Sequence, residues 1–137
     1  MEKVFQFLAG HPNVALATVE DGRPKARVFQ IMKQDGKRLY FATSAGKAVY
    51  RQLRKDPHVE ILTWDDDISV RISGVAAFDV PDGVQAEIYA GNAILQRFYP
   101  SYDSMEYFSV AIQDCDYYDL RPTPPVLEHH RLTAASE

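Results

Sequence analysis

The chain has 137 residues, of which 46% are hydrophobic and 25% charged, and its formal net charge is −4. That balance predicts one globular domain that buries its own core without staples, and it disfavours a general nucleic-acid role. The single cysteine, Cys115, excludes an internal disulfide framework and fits a reducing, cytoplasmic setting. No segment approaches the roughly 18 uninterrupted apolar residues of a membrane span. Met1-Glu2-Lys3-Val4-Phe5 lacks the long apolar stretch of a signal peptide. The expectation is a soluble intracellular protein with neither nucleic-acid nor membrane partners.

Val4, Phe5 and Leu8 recur at helical spacing and Gly10 follows as a C-cap, so 2–9 is predicted as a short amphipathic helix. Val14 to Val19 reads as a buried strand. Asp21-Gly22 and Asp35-Gly36 are hairpin signals, because both pairs tolerate the positive φ of tight turns. They flank a second strand, 25–33, and precede a third, Arg38-Leu-Tyr-Phe-Ala-Thr43, giving a three-stranded antiparallel meander. Ser44 is the expected N-cap of a helix over 46–55 that buries Val49 and Leu53, and Asp56-Pro57 ends it. Strands are expected over 58–64 and 68–79, then helices over 84–92 and 93–98. Two final strands, 106–112 and 117–120, are expected to turn at Gln113-Asp114. Arg121-Pro-Thr-Pro-Pro125 resists regular structure, and 121–137 is expected as a weakly ordered tail or an arm lying on a partner. Short hairpin strands with interspersed helices predict a small β-barrel with helical plugs.

Arg27, Phe29 and Ile31 share one face of the second strand, and Val28, Gln30 and Met32 the other. An arginine among apolar neighbours needs an anionic partner or a place at the barrel rim; a rim arginine paired with a carboxylate is the plainer alternative. Lys47 opens a helix, where a cation meets the positive end of the macrodipole. An anion held by the first-turn N–H groups removes that conflict, and Thr43 and Ser44 add hydroxyl donors. The alternative is a solvated lysine beside an ordinary cap. Paired strands lie roughly 5 Å apart, so Arg27 and the Thr43–Lys47 corner converge if the second and third strands pair. The ligand would then be a phosphate monoester, since the sequence holds no nucleotide-binding glycine loop. Arg71, with Ser69 and Ser73 on its face, is either a further ligand contact or solvent-facing. The four histidines show no metal-ligand spacing, so no metal site is expected. The aromatic cluster around Phe98, Tyr107, Phe108 and Tyr117 is read as core, as a dimer contact or as a ring-stacking wall.

In order and spacing these segments resemble the pyridoxamine 5′-phosphate oxidase-like, FMN-binding split-barrel proteins. The carriers are Leu16-Ala-Thr-Val19, Asp21-Gly-Arg-Pro-Lys-Ala-Arg27, Leu39-Tyr-Phe-Ala-Thr-Ser44, Gly46-Lys-Ala-Val49, Leu53-Arg-Lys-Asp-Pro-His-Val59 and Val70-Arg-Ile-Ser-Gly74. The likeness is greatest to short members related to nitroimidazole-resistance and general stress proteins. It implies a mainly β, six-stranded antiparallel split barrel over 1–120 followed by the 121–137 tail. It also implies a homodimer with FMN at the interface. In that scheme Arg27, Lys47, Thr43 and Ser44 bind the FMN phosphate. Val28, Phe29 and Gln30 line the isoalloxazine ring, and Ser69 and Arg71 approach the flavin.

Two features depart from the true oxidases. Those follow the strand arginine with a lysine that contacts substrate phosphate, five residues on, where this chain has Met32. Their C-terminal substrate motif has no match in Tyr117-Tyr-Asp-Leu-Arg-Pro122. The resulting expectation is an FMN-dependent oxidoreductase that moves electrons or hydride from a small donor to a small acceptor, and is not a vitamin B6 oxidase. The alternative is a non-catalytic or stress-sensing module on the same fold, holding FMN, deazaflavin or heme.

Overall fold

The computed structural model describes residues 1–132. Helix α1 (Glu2–Gly10) leads into β1 (Asn13–Glu20) and β2 (Arg23–Gln30), followed by the short β3 (Lys33–Asp35) and by β4 (Arg38–Thr43). Then come α2 (Ala48–Lys55), β5 (His58–Asp65), β6 (Ile68–Ala77), α3 (Asp82–Ala90), α4 (Ala93–Phe98), β7 (Glu106–Asp119) and β8 (Val126–Arg131). The sheet is antiparallel in the order β2-β1-β5-β6-β7-β4-β3, with β8 added to β7. The six strands β1, β2, β4, β5, β6 and β7 make the split barrel that the resemblance implies. No helix of the described residues is long and apolar enough to cross a membrane.

Both Asp-Gly turns form. Asp21 and Gly22 take φ of 52° and 76°, the paired positive values of a tight two-residue hairpin, and Gly36 takes 57°. The hairpins do not build one meander, however. The strand expected over 25–33 breaks after Gln30. Ile31 N–H donates to Pro12 O at 2.8 Å, and Met32 N–H donates to Tyr40 O at 2.8 Å. Across that pair of residues the chain leaves the ladder of β1 and enters that of β4. The first hairpin therefore lies at one end of the sheet and the second at the other.

No ladder joins those ends. They meet through side chains: Phe29 of β2 sits edge-on to Phe41 of β4 and Phe108 of β7, both at 5.7 Å. This apolar seam is what splits the barrel. Around it Leu16, Ile61, Val70 and Ile72 are fully buried, as alternation along β1, β5 and β6 requires. A second cluster, including Tyr40, Ile88, Leu95 and Tyr107, packs α3 and α4 onto the outside of β4 and β7.

Two further expectations are corrected. The turn expected at Gln113-Asp114 is a bulge within one continuous β7: Ser73 faces Asp114 but Gly74 faces Ile112. The 126–131 part of the expected tail is β8, an ordered strand. Val126 and Leu132 pack on the main core, and Lys3 of α1 donates to Glu128 at 2.5 Å. The rest of the tail expectation, 133–137, lies outside the described residues.

The bulge demands a residue without Cβ. At Gly74 a Cβ would stand 2.5 Å from Val110 Cγ1 and 2.6 Å from Ala111 O, and the backbone oxygen cannot rotate away. Gly74→Ala is expected to destabilise the fold by about 1–3 kcal/mol, read as a lower urea midpoint at unchanged m. A midpoint equal to the parent's would mean that β7 shifts freely at the bulge.

Candidate functional site

Arg27 projects from β2 to the barrel's inner face, the same face as Phe29. Chain direction explains what it meets. β2 continues into β3, which runs antiparallel to β4, so β2 and β4 run in opposite senses. From the Phe29–Phe41 contact, two residues back along β2 is Arg27 and two residues forward along β4 is Thr43. Each step covers roughly 7 Å. Arg27 and Thr43 thus lie toward the same end of the seam on opposite sides of the split, without pairing of their strands.

The Arg27 guanidinium is held entirely by neutral oxygens. Nη1 donates to Thr18 Oγ1 at 2.8 Å, to Leu16 O at 3.3 Å and to Lys25 O at 3.4 Å; Nη2 donates to Gln52 Oε1 at 2.6 Å. Thr18 Oγ1 in turn donates to Gln52 Oε1 at 2.5 Å. Among the described residues no carboxylate forms an ion pair with Arg27, and burial alone lowers its pKa. This is a partly desolvated charge oriented by dipoles and left without a counter-charge.

Gln52 ties α2 to this charge, and its Nε2 donates to Glu20 at 3.4 Å. The helix begins later than its sequence signals. Ala48 is its first residue, and Lys47 occupies the N-cap with extended φ and ψ of −87° and 148°. Ser44 is not the cap; its carbonyl accepts the Lys47 N–H at 3.1 Å. No side chain caps the helix. The start of α2 therefore presents first-turn N–H groups without a side-chain acceptor, next to a lysine.

Thr43 completes the corner. Its side chain is buried, and its Oγ1 has no hydrogen-bond partner. A buried hydroxyl without an acceptor costs stability, and acquires one if an anion enters the corner. Thr43 and Lys47 line a cleft of about 490 Å³, walled on the far side by Ile94, Leu95 and Phe98 of α4 and by Met105. Ile94 and Phe98 are 58% and 63% exposed although apolar.

The other predicted residues lie elsewhere. Phe29 is in the core seam, so only its backbone is open to a ligand. Val28 is 76% exposed on the outer face, in a hollow with Ala15 and Trp64. Gln30 lines a separate pocket with Met32 and Asn92. Ser69 and Arg71 also face outward: Arg71 Nε is 3.8 Å from Asp116, which accepts from His129 Nδ1 at 2.7 Å. Within one chain, Thr43 and Lys47 line one cleft, Arg27 is held by Thr18 and by Gln52 of α2, and Val28, Ser69 and Arg71 face outward from the sheet.

Sequence reasoning missed Thr18, Gln52 and the α4 wall. The signals for two of these were present. Thr18 continues the inward alternation of Val14 and Leu16, and Gln52 falls between Val49 and Leu53 on the buried face of α2. A polar residue at such a position needs a partner.

The family model for pyridoxamine 5′-phosphate oxidase matches residues 1–118. Three solved structures share the fold. General stress protein 26 of Bacillus anthracis is 19% identical with a TM-score of 0.79, covering 96% of this chain and 97% of that one. A pyridoxamine 5′-phosphate oxidase-related, FMN-binding protein of Nostoc punctiforme is 16% identical with a TM-score of 0.70, covering 92% and 84%. A heme-binding protein of Mycobacterium smegmatis is 18% identical with a TM-score of 0.72, covering 93% of this chain and 56% of that one. No curated protein matches the sequence.

The unpartnered hydroxyl sets the expectation for Thr43→Val, which keeps the shape and removes the orphaned donor. Without ligand the variant should be as stable as the parent or more stable by about 1 kcal/mol. With ligand it should bind more weakly. A loss of stability in ligand-free thermal melts would show that Thr43 is already satisfied.

Proposed function

Since the chain belongs to the pyridoxamine 5′-phosphate oxidase family, we propose that it is a cytoplasmic, homodimeric flavoprotein. In this reading it binds FMN and passes electrons or hydride from a small donor to a small acceptor. One observation carries the proposal: Arg27 is a partly buried cation with only neutral partners among the described residues, held by Gln52 of α2, and that helix starts uncapped at Lys47, which shares a cleft with the unsatisfied Thr43. These three features fit a single phosphate monoester. The guanidinium supplies charge-assisted donors, Thr43 supplies its hydroxyl, and Lys47 supplies a second charge.

Bound flavin would supply the redox chemistry. The chain's own task would be to anchor the phosphate at Arg27, Thr43, Ser44 and Lys47, and to set the ring against the backbone of 28–30. The outer face of the sheet supports the dimer. Val28, Leu62 and Trp64 are exposed there together, and a second copy covering them would bring Ser69 and Arg71 into the interface. Met32 argues against the vitamin B6 reaction. Its side chain packs with the second core cluster and lies 3.2 Å from Asn92 Nδ2, so this position offers a substrate phosphate no charge.

The purified protein should be yellow, or should take up added FMN with a shift in its visible bands; a protein that leaves FMN free in solution would sink the proposal. NADH or NADPH should bleach the bound flavin without oxygen, and a quinone or nitroaromatic should restore it. A flavin that no donor bleaches would instead indicate a binding module. Arg27→Ala should weaken FMN about 10- to 100-fold, from loss of about 1.5–3 kcal/mol of charge-assisted contact. Unchanged affinity in a titration would reduce Arg27 to a rim residue.

A further inference from the structure

Charge is unevenly distributed over this molecule. Residues 20–27 and 47–56 carry seven lysines and arginines against three carboxylates, in a chain whose net charge is −4. The two segments form one surface. Arg51 of α2 pairs with Glu20 at 2.7 Å, Lys55 lies 3.7 Å from Asp21, and Gln52 accepts from Arg27. The carboxylates at the tip of the first hairpin are thus matched by cations of α2. That leaves Arg23 and Lys25 exposed and, among the described residues, without ion-pair partners.

Their placement is regular. Arg23, Lys25 and Arg27 occupy alternate positions of β2, so all three point to the α2 side at steps of roughly 7 Å. β2 ends the ordered sheet, so nothing beyond it covers the row. Arg23 and Lys25 line an open hollow of about 340 Å³ with Glu20 and Asp21, the two carboxylates already engaged by α2. The row runs away from residues 28–30, where the ring of the proposed cofactor would lie.

We infer that this row is a subsite for further negative charge, continuing outward from the phosphate held at Arg27. The ligand it fits is a phosphate-rich small molecule: a diphosphate or longer anionic tail on the cofactor, or the phosphates of a second molecule brought beside it. The inference rests on the reading of Arg27 as a phosphate ligand for the position of the first charge only. Charged side chains on an edge strand also deter edge-to-edge pairing, but that role predicts no preference among anions.

The test compares inorganic tripolyphosphate with orthophosphate, as competitors of FMN and by direct calorimetric titration, on the full chain and on an Arg23→Gln/Lys25→Gln double variant. Tripolyphosphate should bind at least about tenfold more tightly than orthophosphate, the size expected of two exposed ion contacts. The variant should bring the two anions to within about twofold of one another while leaving FMN affinity nearly unchanged. Equal binding by the parent, or a preference that survives in the variant, would overturn the subsite. FAD and FMN then separate the two sources. A preference for FAD that the variant loses puts the extra charges on the cofactor's own tail. Equal flavin affinities beside a tripolyphosphate preference put them on a second phosphorylated molecule. If FMN fails to bind while the calorimetric preference stands, the flavin reading fails and the subsite does not.

Discussion

A single cation without a counter-ion organises this molecule. Arg27 extends from an edge strand into the end of the barrel, where water is partly excluded and no carboxylate meets it. Such a charge is tolerated because hydroxyl, amide and carbonyl oxygens replace part of its hydration. Those oxygens come from β1, β2 and α2, so three elements are fixed relative to one another by one guanidinium. Neutral acceptors also keep the charge available. A carboxylate in the place of Gln52 would stabilise the empty site and compete with any anionic ligand; an amide orients the cation without cancelling it.

The barrel's split makes room for this arrangement. A closed barrel would occupy the β2 and β4 edges with ladder hydrogen bonds. Here Phe29, Phe41 and Phe108 close the seam by ring contact, which needs no backbone pairing. Beyond the rings no ladder joins the β2 and β4 edges, and α2 ties to the β2 side through Gln52, which accepts from Arg27 and Thr18. The apolar seam and the polar corner depend on the same strand alternation, two residues apart.

What the sequence made legible followed the range of the interactions involved. The Asp-Gly hairpins, the helix at 48–55 and the strand at 58–65 are set by turn chemistry, by proline and by local periodicity, and each stands where expected to within a few residues. The break at Ile31–Met32 is set by Pro12 and Tyr40, which are remote in sequence, so an unbroken apolar run read as one strand. The Gln113 bulge depends on β6, and β8 depends on a free stretch of β7 beyond β4. Neither leaves a local signature. The residue types proposed for the site, an arginine, two hydroxyls and a lysine, are visible in the sequence; the seam that sets their relation is not. The reason given for their convergence, direct pairing of the second and third strands, was incorrect. Thr18 and Gln52, which orient the arginine, are polar residues at buried positions whose partner is remote in sequence.

Thr43 shows why a ligand-free corner should look as this one does. Its buried hydroxyl has no hydrogen-bond partner among the described residues, and Arg27 is partly desolvated. Both deficits lower the stability of the empty state and vanish if an anion enters, so they would reappear as affinity. A corner satisfied internally by a carboxylate would be more stable and would bind an anion less. The costs are small beside the burial of the core around Phe41, Phe108 and Ile72, which can support them. In this fold the hydrophobic seam therefore does two things: it holds the open edges together, and its burial outweighs the cost of an unsatisfied Thr43 hydroxyl.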